Sequence, residues 1–400
     1  MVSEAREAAL SVVRRLREAG HVAYFAGGCV RDELLGLEPK DFDVATDATP
    51  DRIESVFSRT ARVGAAFGVV LVRQGGRSIE VATFRSDGPY SDRRRPDHVV
   101  FSTPEADARR RDFTINALFL DPLEGDRVID FVGGQDDLRV RLIRAVGDPE
   151  ARLAEDHLRA LRGVRLAARL GFAIEEATAG SIRRHASDLR GVSRERIGEE
   201  LRKMMGHATR VRAVELIEGL GLDAPVLEET AQRCRRLAAL GCLEGKEAGF
   251  GMTLAAWSMD RSAGGRPEPG IVDRLRRALA LSNEERSELS GTLRLVEEMQ
   301  GGWRRLSVAA RRRMTDEAVF LGSVWCLRGV DEGLATEIEA EARAWGRNPE
   351  PWVTGEDLVG LGLKPSPRYK TLLGRVYDAQ LEGRVRTREE ALELLSRWVV

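Results

Sequence analysis

Hydrophobic and polar positions follow two different patterns along the chain. Short apolar runs alternate with helical patterns over about the first 145 residues, whereas after Pro149 long amphipathic helical patterns continue to the last residue. The first part is predicted to form strands over 21–26, 42–46, 67–73, 78–84 and 115–120. Three helices are predicted there as well: one ends at Gly20, a second begins near Val30, and a third spans 50–57. The pattern therefore predicts an α+β fold, with a mixed α/β head followed by a helical remainder.

Two breaks divide the predicted helical remainder. Gly and Pro residues interrupt the helical pattern over 261–269 and again over 348–351, where the sequence reads NPEP. We expect four parts: a head over 1–145, a helical neck over 146–210, a helical body over 211–347 and a helical tail over 348–400.

The composition excludes two classes of protein. With 42% hydrophobic residues and a net charge of −1, the 400-residue chain has neither the composition of a disordered protein nor that of a uniformly basic nucleic-acid coat. Its charges are nevertheless segregated, because the segment 139–212 holds 17 Lys and Arg against 10 Asp and Glu, an excess of +7. We therefore expect one basic surface on an otherwise acidic chain.

The cysteines and the N-terminal segment indicate a cytoplasmic protein. The four cysteines form no CxxC pair and no zinc-binding spacing, which favours reduced thiols. The first 20 residues form a charged amphipathic pattern that is unlike a signal peptide, and no apolar run reaches the length of a membrane span. We therefore expect neither export nor membrane insertion, and no protein partner is evident.

A glycine pair lies between the first predicted strand and the next helix, where residues 27–32 read GGCVRD. The backbone N–H groups of such a turn, Gly28 included, can cradle a phosphate, and Arg31 can add a bidentate contact. Taken alone, a Gly-Gly turn before a helix is usually only a turn.

Two carboxylates follow at the start of the next predicted strand. Because side chains alternate along a strand, Asp41 and Asp43 point to one face while Phe42 packs on the other. Paired carboxylates suit Mg²⁺, whose remaining sites are filled by water and substrate phosphates, as nucleotidyl transfer requires. Glu80, on the predicted hairpin, is a candidate third carboxylate but is equally typical of a surface strand.

Two arginine-rich blocks complete the candidate site. Residues 109–118, RRRDFTINAL, place Arg111 and Asp112 at a strand entrance, where Arg can neutralise a phosphate and Asp can accept from a ribose hydroxyl. Residues 155–159, EDHLR, are predicted to be helical, with Asp156 and Arg159 as i,i+3 neighbours; Arg162 and Arg165 continue the row. Alone, either block is also typical of solvated turns or intrahelical ion pairs.

An Asp beside an Arg can distinguish nucleobases. Asp accepts a hydrogen bond and Arg donates one, so the pair offers an edge that resembles a complementary base. Cytosine and adenine present an amino donor beside a ring-nitrogen acceptor, whereas guanine and uracil present the reverse. The pair Asp156 and Arg159 therefore predicts a protein template that accepts C and A.

Together these blocks resemble the class II tRNA nucleotidyltransferase and poly(A) polymerase family over roughly residues 20–205. The matching motifs are GGxVRD over 27–32, DxD over 41–43, TFR…YxDxRRPxxVxF over 83–101, RRDFTINAL over 110–118, DxxGGxxDL over 130–138, EDxxRxxRxxR over 155–165 with LGF over 170–172, and RxxxEL over 196–201. The family usually has Pro where this chain has His157, and a Pro near a helix start is dispensable.

The resemblance implies an architecture and roles for individual residues. It implies a polymerase-β-like head followed by an all-α neck, body and tail, with residues 354–367 similar to a tail segment that contacts tRNA, although Ser366 stands where the family has Gly. It also implies that Asp41 and Asp43 are catalytic and hold magnesium. The implied nucleotide-binding residues are Gly28, Arg31, Arg111, Asp112, Asp156, Arg159, Arg162 and Arg165.

Three activities occur on this scaffold. The stretch VGAAFG over 63–68 lacks the basic pair that bacterial poly(A) polymerases share, which disfavours poly(A) addition. The loop over 85–101, part of which CC-adding members lack, is of full length. We therefore expect template-independent addition of CCA to tRNA 3′ ends from CTP and ATP, with terminal A addition alone and poly(A) addition as the alternatives.

Two hypotheses of other classes remain: a non-catalytic RNA-binding protein and a small-molecule nucleotidyltransferase. The intact DxD disfavours the first, and the long basic helical region disfavours the second. None of the five histidines is followed by Asp, so we expect no His-Asp phosphohydrolase domain and assign no histidine a catalytic role.

Overall fold

The computed structural model describes residues 3–63, 68–88, 98–230, 234, 236–364 and 366–399. The chain forms two compact units, Met1–Ala231 and Gln232–Val400. The expected division into head, neck, body and tail is finer than these two units and stays a prediction.

A seven-stranded sheet forms the centre of the first unit, with strand order β3-β4-β5-β2-β1-β8-β9. Neighbouring strands are antiparallel except for β2 and β5, which pair in parallel with Val44 opposite Val81. The strands of this sheet are β1 (Ala23–Ala26), β2 (Asp43–Thr46), β3 (Thr60–Arg62), β4 (Val69–Gln74), β5 (Arg77–Thr83), β8 (Phe119–Asp121) and β9 (Arg127–Ile129). Strands β6 (Arg85–Asp87) and β7 (Val99–Phe101) form a separate ribbon.

Five helices accompany the sheet: α1 (Glu4–Glu18), α2 (Gly28–Leu34), α3 (Pro50–Val56), α4 (Pro104–Arg109) and α5 (Gly134–Arg139). Helix α1 is capped by Ser3, whose side chain accepts from the Arg6 N–H, and it buries Val12, Val13 and Leu16 against the sheet. Burying such aliphatic side chains stabilises the fold by about 1.5–3 kcal/mol each. The predicted hairpin at Gly75-Gly76 is confirmed by the register of β4 and β5.

One predicted strand was wrong in its extent. Residues 115–120 were expected to be extended, but Thr114–Asn116 is a short 3₁₀ helix and the strand is Phe119–Asp121. The apolar run is buried on all sides, with Ile115, Leu118 and Phe119 each fully buried, so its composition does not distinguish a strand from a tight turn.

Helices make up most of the rest of the first unit: α6 (Pro149–Glu155), α7 (Arg159–Leu170), α8 (Glu176–Arg184), α9 (Arg194–Met205), α10 (Arg210–Gly219) and α11 (Asp223–Leu227). The expectation of helix alone after Pro149 has one exception, since β11 (Ala173–Ile174) pairs in parallel with β10 (Leu142–Ile143). Leu166, Ala167 and Phe172 belong to the same hydrophobic core as the sheet. Helix α7 is therefore held directly against the head.

The second unit is helical throughout its described residues. Its helices are α12 (Ala238–Gly241), α13 (Phe250–Asp260), α14 (Ile271–Leu279), α15 (Asn283–Gly302), α16 (Val308–Thr315), α17 (Phe320–Arg328), α18 (Glu332–Trp345), α19 (Gly355–Gly360), α20 (Arg368–Leu381) and α21 (Arg388–Val399). The last three share a core of their own that includes Leu358, Leu372 and Leu395. Among the described residues, the structure contains no helix that is both long and apolar enough to span a membrane.

Gly134 fixes the approach of α5 to the segment that carries Asn116. A Cβ at Gly134 would lie 2.3 Å from the carbonyl oxygen of Thr114 and 2.9 Å from a methyl carbon of Leu118. We predict that Gly134→Ala lowers the free energy of unfolding of the first unit by about 1–3 kcal/mol, because backbone must move to admit the methyl group. Chemical denaturation measures this change.

The matched control is Gly191→Ala, at an exposed position where a Cβ meets nothing within 4 Å. Equal stability of the two variants would contradict the predicted collision.

Candidate active site

A polar cleft of about 540 Å³ lies within the first unit, between the sheet and the α7–α9 region. It is lined by nine of the ten residues that the sequence proposes: Gly28, Arg31, Asp43, Arg111, Asp112, Asp156, Arg159, Arg162 and Arg165. The tenth, Asp41, does not line it. The structure therefore brings together residues from four separate sequence blocks.

Strand β2 presents its carboxylate at the edge of the cleft. Phe42 is buried and its ring packs against Phe25 at 5.1 Å, while Asp41 and Asp43 are exposed, as the strand alternation predicts. The strand itself begins only at Asp43, so Asp41 lies in the segment before it.

Glu80 lies beside Asp43 on the neighbouring strand β5. Both residues stand one position before the paired residues Val44 and Val81, and both line the cleft. Desolvation by surrounding protein atoms and the charges of Glu80 and Asp41 raise the pKa of Asp43 to about 6, although the positive charge of Arg111 opposes the shift. The carboxylates repel one another, and a bound cation would relieve that repulsion.

The glycine turn lets an arginine approach the backbone closely. Gly27 has φ of +74°, and a Cβ there would lie 2.8 Å from Nη1 of Arg111. Arg31, on α2, is 6% exposed; its Nε donates to Asp32 at 2.8 Å and its Nη1 donates to Oδ1 of Asn116 at 2.6 Å. Both guanidinium groups line the cleft in fixed orientations.

Asp107 on α4 holds Arg111, and it was not among the predicted site residues. Its carboxylate is 1% exposed and accepts from Nη2 of Arg111 at 2.9 Å and from Nη2 of Arg110 at 2.6 Å. Burial works against ionisation of this carboxyl, but the charges of Arg111 and Arg110 outweigh it and lower the pKa of Asp107. The guanidinium of Arg111 also lies 5.0 Å from the ring centroid of Phe119.

The buried carboxylate of Asp112 forms an ion pair with Arg162 of α7, whose side chain is partly exposed. Its Oδ2 accepts from Nε of Arg162 at 2.8 Å, and its Oδ1 accepts from the backbone of Phe113 and from the amide of Asn116. Burial opposes ionisation, but the charge and hydrogen bond of Arg162 prevail and lower the pKa of Asp112 well below its usual range. The carboxylate is therefore engaged with protein groups in this arrangement.

Asp156 does not lie on the helix that carries Arg159, contrary to the prediction. It is the C-cap of α6 with extended backbone (φ −150°, ψ 105°), and α7 begins at Arg159. Its Oδ1 caps the Leu158 N–H at 3.1 Å, which explains why the helical pattern breaks at this residue. Its Oδ2 accepts from Nη2 of Arg196 on α9 at 2.7 Å.

The three arginines of α7 that line the cleft, Arg159, Arg162 and Arg165, each have an acidic partner on another element. Nη1 of Arg159 donates to Glu155 at 2.5 Å and to the carbonyl of Arg152 at 2.8 Å. Nε of Arg165 donates at 2.6 Å to Glu200, a residue that is only 3% exposed. The row therefore faces the cleft with its guanidinium groups oriented by carboxylates.

Sequence reasoning missed several cleft residues: Arg85, Arg110, Asn116 and Arg196. All four stand in the motifs TFR, RRDFTINAL and RxxxEL, so motif membership was the available signal. The YxDxRRP part of the loop motif (90–96), most of the stretch VGAAFG (64–67) and Pro365 of the tail segment lie outside the described residues.

Two family models match the first unit. The model described as the poly A polymerase head domain matches residues 23–144. The model described as the probable RNA and SrmB-binding site of polymerase A matches residues 171–234. The cleft residues of the sheet thus fall within the head-domain match.

Full-length relatives and solved structures agree with this match. The chain is 33% identical over 389 residues to a CCA-adding enzyme of Limosilactobacillus fermentum, covering 95% of this chain and 93% of the relative. It is 32% identical over 410 residues to a CCA-adding enzyme of Geobacillus stearothermophilus, covering 96% and 95%. The crystal structure of a Bacillus stearothermophilus CCA-adding enzyme in complex with CTP is 26% identical, with a TM-score of 0.77 and coverage of 99% and 98%. These findings confirm the predicted α+β fold, and the chain belongs to the CCA-adding enzyme family of nucleotidyltransferases.

Proposed function

We propose that this enzyme adds CCA to the 3′ ends of tRNA from CTP and ATP without a nucleic-acid template. The observation that supports this most directly is the two-sided cleft. One side presents Asp43 and Glu80, and the other presents Asp156 together with the arginines of α7. Nucleotidyl transfer needs the first group, and base selection by protein needs the second. The similarity to CCA-adding enzymes over nearly the whole chain supports the same activity.

The carboxylates of the cleft fit a magnesium ion. Asp43 and Glu80 in the cleft, and Asp41 just before β2, offer hard oxygen ligands. Desolvation, and then the charges of Glu80 and Asp41, raise the pKa of Asp43, and a divalent cation would oppose that shift. When bound, magnesium lowers the pKa of the attacking 3′-hydroxyl and neutralises charge on the triphosphate. We assign Asp41 and Asp43 as its holders and Glu80 as a third carboxylate at the same edge.

The triphosphate would lie beside the glycine turn. Arg31 and Arg111 place two guanidinium groups on the cleft wall next to Gly28, and their acidic partners keep them oriented before substrate arrives. Preorganised charge of this kind stabilises a developing pyrophosphate without the cost of rearranging side chains. Asp112 serves here by positioning Arg162 and Asn116, in addition to the proposed contact with ribose.

The base would be read by Asp156 and Arg159 across the α6–α7 junction. The Asp156 carboxylate accepts a hydrogen bond from the amino group of C or A, and Arg159 donates one to the adjacent ring nitrogen. Glu155 and the carbonyl of Arg152 engage Nη1 of Arg159, and a guanidinium has further N–H groups that can donate to a base. Arg162 and Arg165 line the same wall and stay paired with Asp112 and Glu200.

The tRNA would bind along the helical region. The segment 139–212, with its charge excess of +7, overlaps residues 171–234, which the RNA-binding model matches. We therefore propose that the neck binds the acceptor end of the tRNA. We assign the head to 1–145, the neck to 146–210, the body to 211–347 and a tRNA-contacting tail to 348–400. The buried, free thiols Cys29 and Cys326 are in keeping with a reducing, cytoplasmic setting.

A labelled-nucleotide assay tests the proposal. The enzyme, Mg²⁺ and [α-³²P]CTP or ATP are incubated with tRNA that ends at the discriminator base and with tRNA that ends in CC. We expect C addition to the first and A addition to the second. If the enzyme uses only ATP, and only on tRNA that ends in CC, an A-adding enzyme is favoured. If it adds long A tracts to unrelated RNA, a poly(A) polymerase is favoured. If no nucleotide is incorporated, the proposal is overturned.

Asp43→Asn tests the metal-binding assignment. The variant keeps the shape of the side chain but removes the charge that holds a divalent ion. We expect kcat to fall by on the order of a thousandfold, since several kcal/mol of transition-state stabilisation is lost and each 1.36 kcal/mol is about tenfold. Single-turnover CMP incorporation measures this, while filter binding checks that tRNA affinity changes little.

Asp47→Asn is the matched control. Asp47 is exposed just past the end of β2, pairs with His21 and does not line the cleft. Activity within a few-fold of wild type is expected there, and a comparable loss in both variants would refute the assignment.

Arg196→Gln tests whether the ion pair to Asp156 orients the base-reading edge. Loss of a charge-assisted hydrogen bond of about 1.5–3 kcal/mol should lower kcat/KM for CTP and ATP by roughly tenfold to a hundredfold. Because an unoriented Asp156 selects bases poorly, the ratio of CTP to UTP incorporation should fall as well. Steady-state kinetics with all four nucleotides measures both quantities.

Arg194→Gln serves as the control on the same helix. Arg194 pairs with Glu228 and donates to the carbonyl of Pro225, away from the cleft lining. If Arg196→Gln lowers activity but leaves the nucleotide preference equal to that of Arg194→Gln, the orienting role is wrong.

A further inference from the structure

Two histidines and an aspartate converge behind the base-reading turn. His157 follows Asp156 in the α6–α7 junction, His185 caps α8, and Asp188 lies in the 3₁₀ helix Ala186–Gly191. The two imidazole rings are stacked at 6.0 Å with an interplanar angle of 23°. Within the described part of the chain, these three form the only group of three or more His, Cys, Asp or Glu whose ligand atoms all lie within 4.8 Å of one another.

The distances suit a shared cation. Oδ2 of Asp188 lies 2.8 Å from Nδ1 of His185 and 3.9 Å from Nδ1 of His157. Two ligands that are each about 2.0–2.1 Å from a tetrahedral Zn²⁺ lie about 3.3 Å apart, between these two values. Small side-chain shifts therefore bring all three atoms to one ion.

A fourth residue supports one of the imidazoles from behind. Nε2 of His185 lies 2.8 Å from Oε2 of Glu150, so its proton is donated to a carboxylate and Nδ1 is the atom that faces Asp188. A carboxylate behind a metal-binding histidine fixes the ring and raises its basicity. Without a cation, His185 must be protonated to donate to both carboxylates. The hydrogen bond to Asp188, and then the one to Glu150, raise the pKa of His185.

We propose that His157, His185 and Asp188 form a binding site for a divalent cation of the zinc class, with Glu150 supporting His185. Two imidazoles and one carboxylate favour Zn²⁺ over Mg²⁺, which prefers oxygen ligands. Three protein ligands leave one position for water. His157 is 5% exposed, so the ion would lie at the base of the turn and tie it to the 3₁₀ helix.

This site differs from the magnesium position in residues and in ligand type, and it goes beyond the proposed function. The cation would restrain the turn that carries Asp156 without touching substrate. Its effect is therefore on stability and on the rigidity of residues 155–159, and the first readout is metal binding itself.

Zinc titration tests the site. The full-length protein is stripped with a chelator, saturated with Mg²⁺ to occupy the carboxylate edge, and titrated with Zn²⁺ by calorimetry. We expect one Zn²⁺ per chain, a higher melting temperature when it is bound, and visible d–d absorption when Co²⁺ replaces it.

Variants separate this site from adventitious binding. His185→Gln and His157→Gln each remove a ligand and should weaken Zn²⁺ binding more than a hundredfold, whereas Glu150→Gln should weaken it about 10–100-fold. His21→Gln is the matched control, because His21 is a single imidazole 3.2 Å from one carboxylate, that of Asp47. Binding in that variant should equal wild type.

Absence of Zn²⁺ binding in the presence of Mg²⁺ would overturn the proposal, as would equal affinity of His185→Gln and His21→Gln. If His157→Gln fails to fold because its side chain is buried, His185→Gln still decides, since that side chain is 23% exposed.

Discussion

The ion pair between the buried Asp112 and the partly exposed Arg162 is the contact on which the arrangement of the cleft depends. It joins the segment that enters the 3₁₀ helix Thr114–Asn116 to helix α7, 50 residues further along the chain. Removing Arg162 would leave the buried Asp112 carboxylate without its ion-pair partner, and an unpaired buried charge is unfavourable. Because Asp112 also accepts from Asn116, and Asn116 accepts from Arg31, one carboxylate links helix α7 to helix α2 beside the glycine turn.

The same chemistry recurs at every arginine of the cleft wall. Asp107 holds Arg111, Glu200 holds Arg165, and Asp156 is itself held by Arg196. The arginines of the cleft wall are therefore held in place by carboxylates. Orientation by carboxylates reduces the conformational freedom that these side chains would lose on binding a nucleotide.

Local signals predicted four strands of the sheet, β1, β2, β4 and β5, but not β3 or β9, and not the contacts between blocks. Alternation correctly predicted that Phe42 is buried while Asp41 and Asp43 are exposed, and the glycine pair at 75–76 marked a real hairpin. The apolar run at 115–120 was ambiguous because every side of it is buried.

The remaining errors have one physical origin, which is long-range contact. Asp156 left the predicted helix because its carboxylate caps the next helix and pairs with Arg196, 40 residues away. Nothing local at Arg165 indicates Glu200, whereas the spacing of Asp107 and Arg111 at i,i+4 is a local signal that was not used. Similarly, Asp41 matches the motif but lies before the strand and outside the cleft lining. Motif spacing identified residues that lie in one cleft, but only the fold shows which of them contact each other directly.

Gly27 shows how narrowly the floor of the cleft is defined. Its backbone has φ of +74°, and the space where a Cβ would go is already taken by the guanidinium of Arg111. Any other residue would meet both a strained backbone and a displaced cation, so no single substitution at this position is a small step. A side chain at Gly27 would therefore move the guanidinium of Arg111, so the conformation of the turn and the position of this cation are coupled.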